Sequence, residues 1–145
     1  MSISADPPRS RDVGALMALI DARAASPFAW RGRRDCASFA GAAIAAVSGV
    51  DVIAPLSWSS RKQALDVIDA EGGLEAAMDR RLRRVAPAMA QRGDIAGVAD
   101  PILGIRLMVV EGATLSSPGD RGLELCPRDV MLMAWNSMSA GGAHV

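Results

Sequence analysis

The chain has 145 residues and carries 16 Lys and Arg against 16 Asp and Glu, so its formal charge is zero at neutral pH. That balance argues against a general nucleic-acid binder, whose affinity rests on neutralising many phosphates. Half the residues are hydrophobic and few are aromatic. No apolar run reaches the roughly twenty residues of a membrane span.

The length fits one domain of about 100–200 residues, large enough to fold without metal or disulfide staples. Met1-Ser2-Ile3-Ser4-Ala5-Asp6-Pro7-Pro8 lacks the charged and apolar regions of a signal peptide. Cys36 and Cys126 lie far apart in sequence. They could form one disulfide, but a reduced protein made in the cytoplasm is the expected state. Neither belongs to a CxxC or Cys/His cluster, and a single histidine cannot complete a zinc site. No metal and no cofactor is therefore expected.

Residues 1–9 read as a loose arm, because Pro7-Pro8 cannot donate backbone hydrogen bonds. Ser10 is a candidate cap for a first helix, with Asp12 in its first turn. Val13, Leu16, Met17, Ile20 and Ala24 then follow helical spacing on one face, and Pro27 closes the helix. The second helix runs from Cys36 to Gly49 and is apolar nearly all round, which predicts burial at the centre of the domain. Ser59 or Ser60 caps a third helix with Ala64, Leu65 and Ile68 inward, and Gly72-Gly73 stops it.

The fourth helix is predicted from Leu74, using Ala77, Met78, Leu82 and Val85 before Pro87. Its Arg80, Arg81, Arg83 and Arg84 could form a patch for an anionic ligand. The favoured alternative is a solvated face with Asp79 pairing Arg83 at i,i+4. From Gly93 the pattern changes to short extended runs: 94–99, 102–110, 112–115, 123–126 and 131–135. Ser117-Pro118-Gly119-Asp120 reads as a turn. Helices followed by a small antiparallel sheet predict an α+β fold. The expected organisation is an arm at 1–9, one domain at 10–136 and a flexible tail at 137–145.

The candidate site is Cys36. A helix start and nearby cations, here Arg31, Arg33 and Arg34, lower a thiol's pKa and favour the nucleophilic thiolate. The alternative is a buried, inert cysteine on an apolar helix stripe. Asp35 is placed to cap the helix. His144 is the one imidazole and sits in the Gly-rich tail, where it is poorly fixed for proton transfer. Cys126, beside Pro127, is read as structural.

Asp35-Cys36-Ala37-Ser38-Phe39-Ala40 resembles the motif that opens the catalytic helix of NlpC/P60 cysteine peptidases. Gln91-Arg92-Gly93-Asp94-Ile95 is similar to the step into that family's first core strand. Ile102-Leu103-Gly104-Ile105 is similar to its "His-Val-Gly-Ile" strand at the last three positions. The spacing of Asp35, Cys36, Phe39, Gly49 and Asp51 ahead of Arg92-Gly93-Asp94 looks closest to a phage and prophage branch. The resemblance spans Trp30 to Trp135 and implies an NlpC/P60-like fold with Cys36 as the ancestral nucleophile. At the position of the catalytic base, however, it places Ile102, which cannot take up a proton. Ile102 is expected to face Cys36 across the sheet and contribute packing. The third polar position falls near Thr114.

The resemblance therefore implies a degenerate peptidase fold, inactive and serving as a structural part of a phage tail tip or hub. Its partners would be other tail-tip or hub proteins, with Met131, Met133 and Trp135 as candidate contacts if exposed. It would reach the virion tail after synthesis in the bacterial cytoplasm. The alternative is an active cysteine hydrolase cleaving peptidoglycan peptides with Cys36, its base supplied by His144 or a partner chain. A small intracellular adaptor is a third reading.

Overall fold

The structure is a computed structural model that describes residues 10–30 and 34–141. Four helices, α1 (Val13–Arg23), α2 (Cys36–Ser48), α3 (Arg61–Glu71) and α4 (Leu74–Arg81), precede and cover a six-stranded antiparallel sheet. Its strands are β1 (Arg83–Val85), β2 (Ile95–Asp100), β3 (Gly104–Val110), β4 (Thr114–Gly119), β5 (Gly122–Pro127) and β6 (Met133–Asn136). They lie in the order β1-β6-β2-β3-β4-β5. The fold is α+β, as the sequence predicts. No helix among the described residues is long and apolar enough to cross a membrane.

The central helix starts and stops where its sequence dictates. The Asp35 carboxylate accepts the Ser38 N–H at 2.9 Å, which satisfies one of the unpaired donors of the first turn. Gly49 ends the helix in the left-handed conformation, φ 79°, that side chains disfavour. In between, Phe39, Ala40, Ala43, Ile44 and Val47 are buried. Small residues allow close approach. A Cβ on Gly41 would stand 2.6 Å from Ile53 Cδ1, and one on Gly93 (φ 92°) 2.6 Å from Val47 Cγ1.

The period-two alternation of the central strands sorts side chains into two cores. Ile95, Ile105, Leu107, Val109 and Trp135 join the helices around Phe39, Ile44 and Val47. Ala96, Val98, Met108, Val110 and Ala134 form a second cluster with Leu115 and Met131. Arg128 closes that second cluster by donating to three backbone oxygens, Pro87 at 2.8 Å, Ala90 at 2.6 Å and Gly112 at 3.1 Å.

Several boundaries differ from the sequence expectation, each for a local reason. Asp12 rather than Ser10 caps α1, because its carboxylate meets the Ala15 N–H at 2.9 Å. The fourth helix ends at Arg81, and Arg83–Val85 pairs with Ala134–Asn136 instead. Strand pairing overrides the helix propensity of those arginines. In the extended chain Arg84, not Arg83, reaches Asp79, at 2.7 Å. Ser117, Pro118 and Gly119 belong to β4, so the turn moves to Asp120-Arg121.

The strand predicted from residue 102 begins at Gly104, because the Asp100 carboxylate accepts the N–H groups of Ile102 and Leu103 and bends the chain. Met131 and Trp135 are buried and Met133 partly so, so they serve the core. Ser137–Ser139 forms a short helical turn with Ser137 and Ala140 buried, so the chain stays packed beyond the predicted start of the tail at 137.

Candidate functional site: a cleft at the start of the central helix

The first turn of α2 is built around a buried carboxylate. Asp35 is completely buried and accepts three neutral donors: Ser38 N–H and Ser38 Oγ at 2.9 Å each, and Trp58 Nε1 at 2.8 Å. This arrangement fixes the helix start and leaves the next residue, Cys36, at the base of a cleft. The cleft holds about 270 Å³ and is lined by Cys36, Phe28, Trp30, Asp100, Ile102 and Arg106, among others. Phe28 and Trp30 meet edge to face at 4.9 Å and form an aromatic wall.

Three of the charges that line the cleft, Arg106, Glu124 and Asp100, are committed to the fold. Arg106 donates to both carboxylate oxygens of Glu124 at 3.1 and 3.2 Å, to Ser117 Oγ at 3.3 Å and to Pro118 O at 3.0 Å. Asp100 holds the β2–β3 turn through Ile102 N–H at 3.0 Å and Leu103 N–H at 2.7 Å.

The thiol itself keeps its proton. Burial pushes Cys36 up to about 11, and the negative charges of Asp35 and Asp100 add to that rise. A backbone hydrogen bond with Leu107 and the charge of Arg106 oppose it without overcoming it. The helix start and basic loop predict a lowered value, and desolvation of a 5 % exposed side chain reverses the sign. Asp35 and Asp100 act on the sulfur through charge, not through a hydrogen bond. Both cysteines are free.

The predicted site residues come together only in part. Cys36 and Ile102 share the cleft, but Ile102 sits on an exposed turn and is 73 % accessible. It lines the mouth instead of packing across the sheet. Thr114 opens β4, exposed and outside the cleft lining. Arg31, Arg33 and His144 lie outside the described residues.

The Gly-Asp step has a structural task. Asp94 Oδ1 accepts Arg11 Nη1 at 2.6 Å and Ser137 N–H at 3.0 Å, while Oδ2 accepts Gln91 N–H at 2.8 Å. Of the candidate anion patch, Arg81 pairs with Glu71, and Arg84 with Glu75 and Asp79. Cys126 packs against the second core cluster. Among the described residues no cluster of His, Cys, Asp and Glu could hold a metal ion.

Sequence reading missed Trp58, Asp100, Arg106 and Arg11. Two of them carry a signal. Asp100-Pro101 is a turn dipeptide, and Arg106 is the one charge inside the apolar run Ile105 to Val110. Trp58 and Arg11 act across long sequence separations, which no local pattern marks.

A family model described as a domain of unknown function (DUF6950) matches residues 9–137. No curated protein matches the chain.

Proposed function

Within the DUF6950 family, to which this chain belongs, we propose that it is a structural component of a phage or phage-like tail tip built on a degenerate NlpC/P60-type fold. The observation that carries this reading is that Cys36 lines the cleft yet is only 5 % exposed, a burial that pushes its thiol up to about 11. A cysteine nucleophile acts as thiolate, generated by an adjacent base or a lowered pKa. Among the described residues that line the cleft there is no imidazole. Ile102 stands at the mouth where the resemblance puts the base, and the charges of Asp35 and Asp100 raise the thiol value further. On this reading the partners are other tail-tip or hub proteins, and the protein resides in the virion tail after synthesis in the bacterial cytoplasm.

One observation favours a second reading, a peptidoglycan-cleaving cysteine hydrolase. The cleft is open beside Cys36, and Leu107 and Arg106 both act to stabilise a thiolate there. The purified full chain incubated with muropeptides and a thiol-directed probe separates the two. No turnover and unimpaired particle assembly with Cys36→Ala are expected. Turnover that disappears in Cys36→Ala would sink the structural role, as would absence of the protein from purified particles.

A further inference from the structure

α3 is the least embedded of the four helices. Of its eleven residues, all of them described, Ala64 is the one that is buried, whereas most of α2 is buried. The cause lies in the surface beneath it. Val67 and Ile68 of α3 and Ala37, Ala40 and Gly41 of α2 line a cavity of about 50 Å³, because side chains this small leave the space between the helices unfilled. On the other flank, Arg61 and Leu65 form part of the wall of the cleft that holds Cys36. α3 therefore stands between two voids.

The helix satisfies its ends from within. Ser60 Oγ accepts the Gln63 N–H at 3.1 Å, and Gln63 Oε1 accepts the Ser59 N–H at 2.7 Å. At the far end the Gly72 N–H donates to Asp69 O at 3.0 Å and the Gly73 N–H to Ile68 O at 2.9 Å. Lifting α3 leaves these caps intact, so it strands no backbone donor. Among the described residues, side-chain bonds to the rest of the molecule are confined to the two ends. Trp58, two residues before the cap, donates to Asp35 Oδ2 at 2.8 Å. Glu71 pairs with Arg81 and, at 3.5 Å, with Arg80 of α4. Gly72 and Gly73, at φ 88° and 104°, make the joint between α3 and α4.

We propose that α3 is a lid over the first two turns of α2. It lifts as a unit about Gly72-Gly73 when the Trp58–Asp35 bond opens, joins the two voids into one groove and lays Cys36 open. Few buried side chains and few ties place a segment at the low end of a protein's local stability, and a glycine joint absorbs the backbone rotation that lifting requires. Cys36 is 5 % exposed in the closed form, so a reagent or partner reaches its sulfur through the open one. The lid controls access and not chemistry, and it rests on neither the tail-component nor the hydrolase reading.

Amide hydrogen exchange of the full chain, with iodoacetamide labelling of Cys36 at one fixed pH, tests it. A helix this short is marginal in water once lifted from its support. The α3 amides should therefore exchange together, at least about a hundredfold faster than those of α2. Cys36 labelling should follow the α3 amides and stay insensitive to low denaturant, as an opening that exposes little surface does. Trp58→Phe removes the latch and should speed both by about tenfold. Glu71→Gln unties the far end without touching Asp35 or the thiol, and should also speed both. Neither variant should change exchange in β2 and β3, or labelling of Cys126, which packs on the second core cluster. Protection of α3 equal to that of α2, Cys36 labelling that follows global unfolding in denaturant, no response of α3 to either variant, or variants that speed every element alike would each overturn the lid.

Discussion

Asp35 and Asp94 are both buried, at 0 % and 1 % exposure, and both sit in motifs that resemble those of a peptidase. They are satisfied in opposite ways. Asp35 takes only neutral donors, two of them from its own helix turn and the third from Trp58. Asp94 takes a guanidinium from Arg11 and backbone N–H groups from Gln91 and Ser137. Arg11 also reaches Asn136 Oδ1 at 3.1 Å. Asp35 therefore organises a local helix start, whereas Asp94 staples segments more than eighty residues apart. A carboxylate buried beside a candidate nucleophile is no evidence of catalysis when its hydrogen bonds are fully used by the fold.

The comparison breaks most directly by truncation. Asp94→Ala leaves the Arg11 guanidinium without its carboxylate at a site where it is only 14 % exposed, and breaking such a pair costs about 3–5 kcal/mol. It also leaves the Gln91 and Ser137 N–H groups without their acceptor. Asp35→Ala loses a cap worth about 0.5–2 kcal/mol and leaves the Trp58 indole N–H unpaired. Denaturant unfolding should rank Asp94→Ala as the more damaging of the two. Equal losses would mean that the guanidinium adds nothing beyond a neutral donor.

The thiol gives the next effect. Cys36 has a folded value of about 11 against an ordinary 9.0. A value raised on folding gives stability that is fully present below the unfolded value and lost as pH rises through the folded one. Unfolding free energy should therefore fall between about pH 9 and 11, by at most about 3 kcal/mol at 1.36 kcal/mol per unit. Cys36→Ala should remove that slope while leaving the acid side of the profile unchanged. If the variant keeps the slope, the proton is being taken up elsewhere.

The helices were legible in the sequence because their signals are local. Asp35 as a cap, Gly49 and Gly72 as stops, and the apolar sequence of α2 each act within a few residues. The extent of the strands was less legible, since Arg83–Val85 becomes a strand only because Ala134–Asn136 lies beside it. Position 102 shows the same limit at the site. Its motif match assumes a strand, while Asp100 two residues earlier turns the chain and brings Ile102 to the surface. The sign of the thiol shift was not legible at all. Helix start and arginines are visible in sequence, but desolvation depends on what packs around the sulfur.

Trp58 tests whether the third donor to Asp35 matters. Trp58→Phe keeps an aromatic ring but removes the 2.8 Å bond to the carboxylate. The indole is partly solvated, so the loss should sit near the low end for bonds to a charged group, about 1.5 kcal/mol. Thermal unfolding of the variant checks it. No change would mean that water takes over the donor's place.

The smallest effect sharpens the comparison most, because it asks what Asp35 does to its neighbour without disturbing the helix. Asn caps helices about as well as Asp, so Asp35→Asn should keep the Ser38 N–H cap while removing a negative charge, at the expense of the Trp58 bond, whose indole N–H then faces the amide NH2. That charge is one of the influences that raise the Cys36 value, though desolvation is the larger. The pH at which iodoacetamide begins to label Cys36 in the folded protein should therefore move down by less than the whole shift. Cys126 labelling serves as an internal control. Asp94→Asn, whose carboxylate is not among the influences on the thiol, should leave that midpoint in place. Equal movement in both variants would mean that labelling reports a general loosening of the fold and not the field of Asp35 at the sulfur.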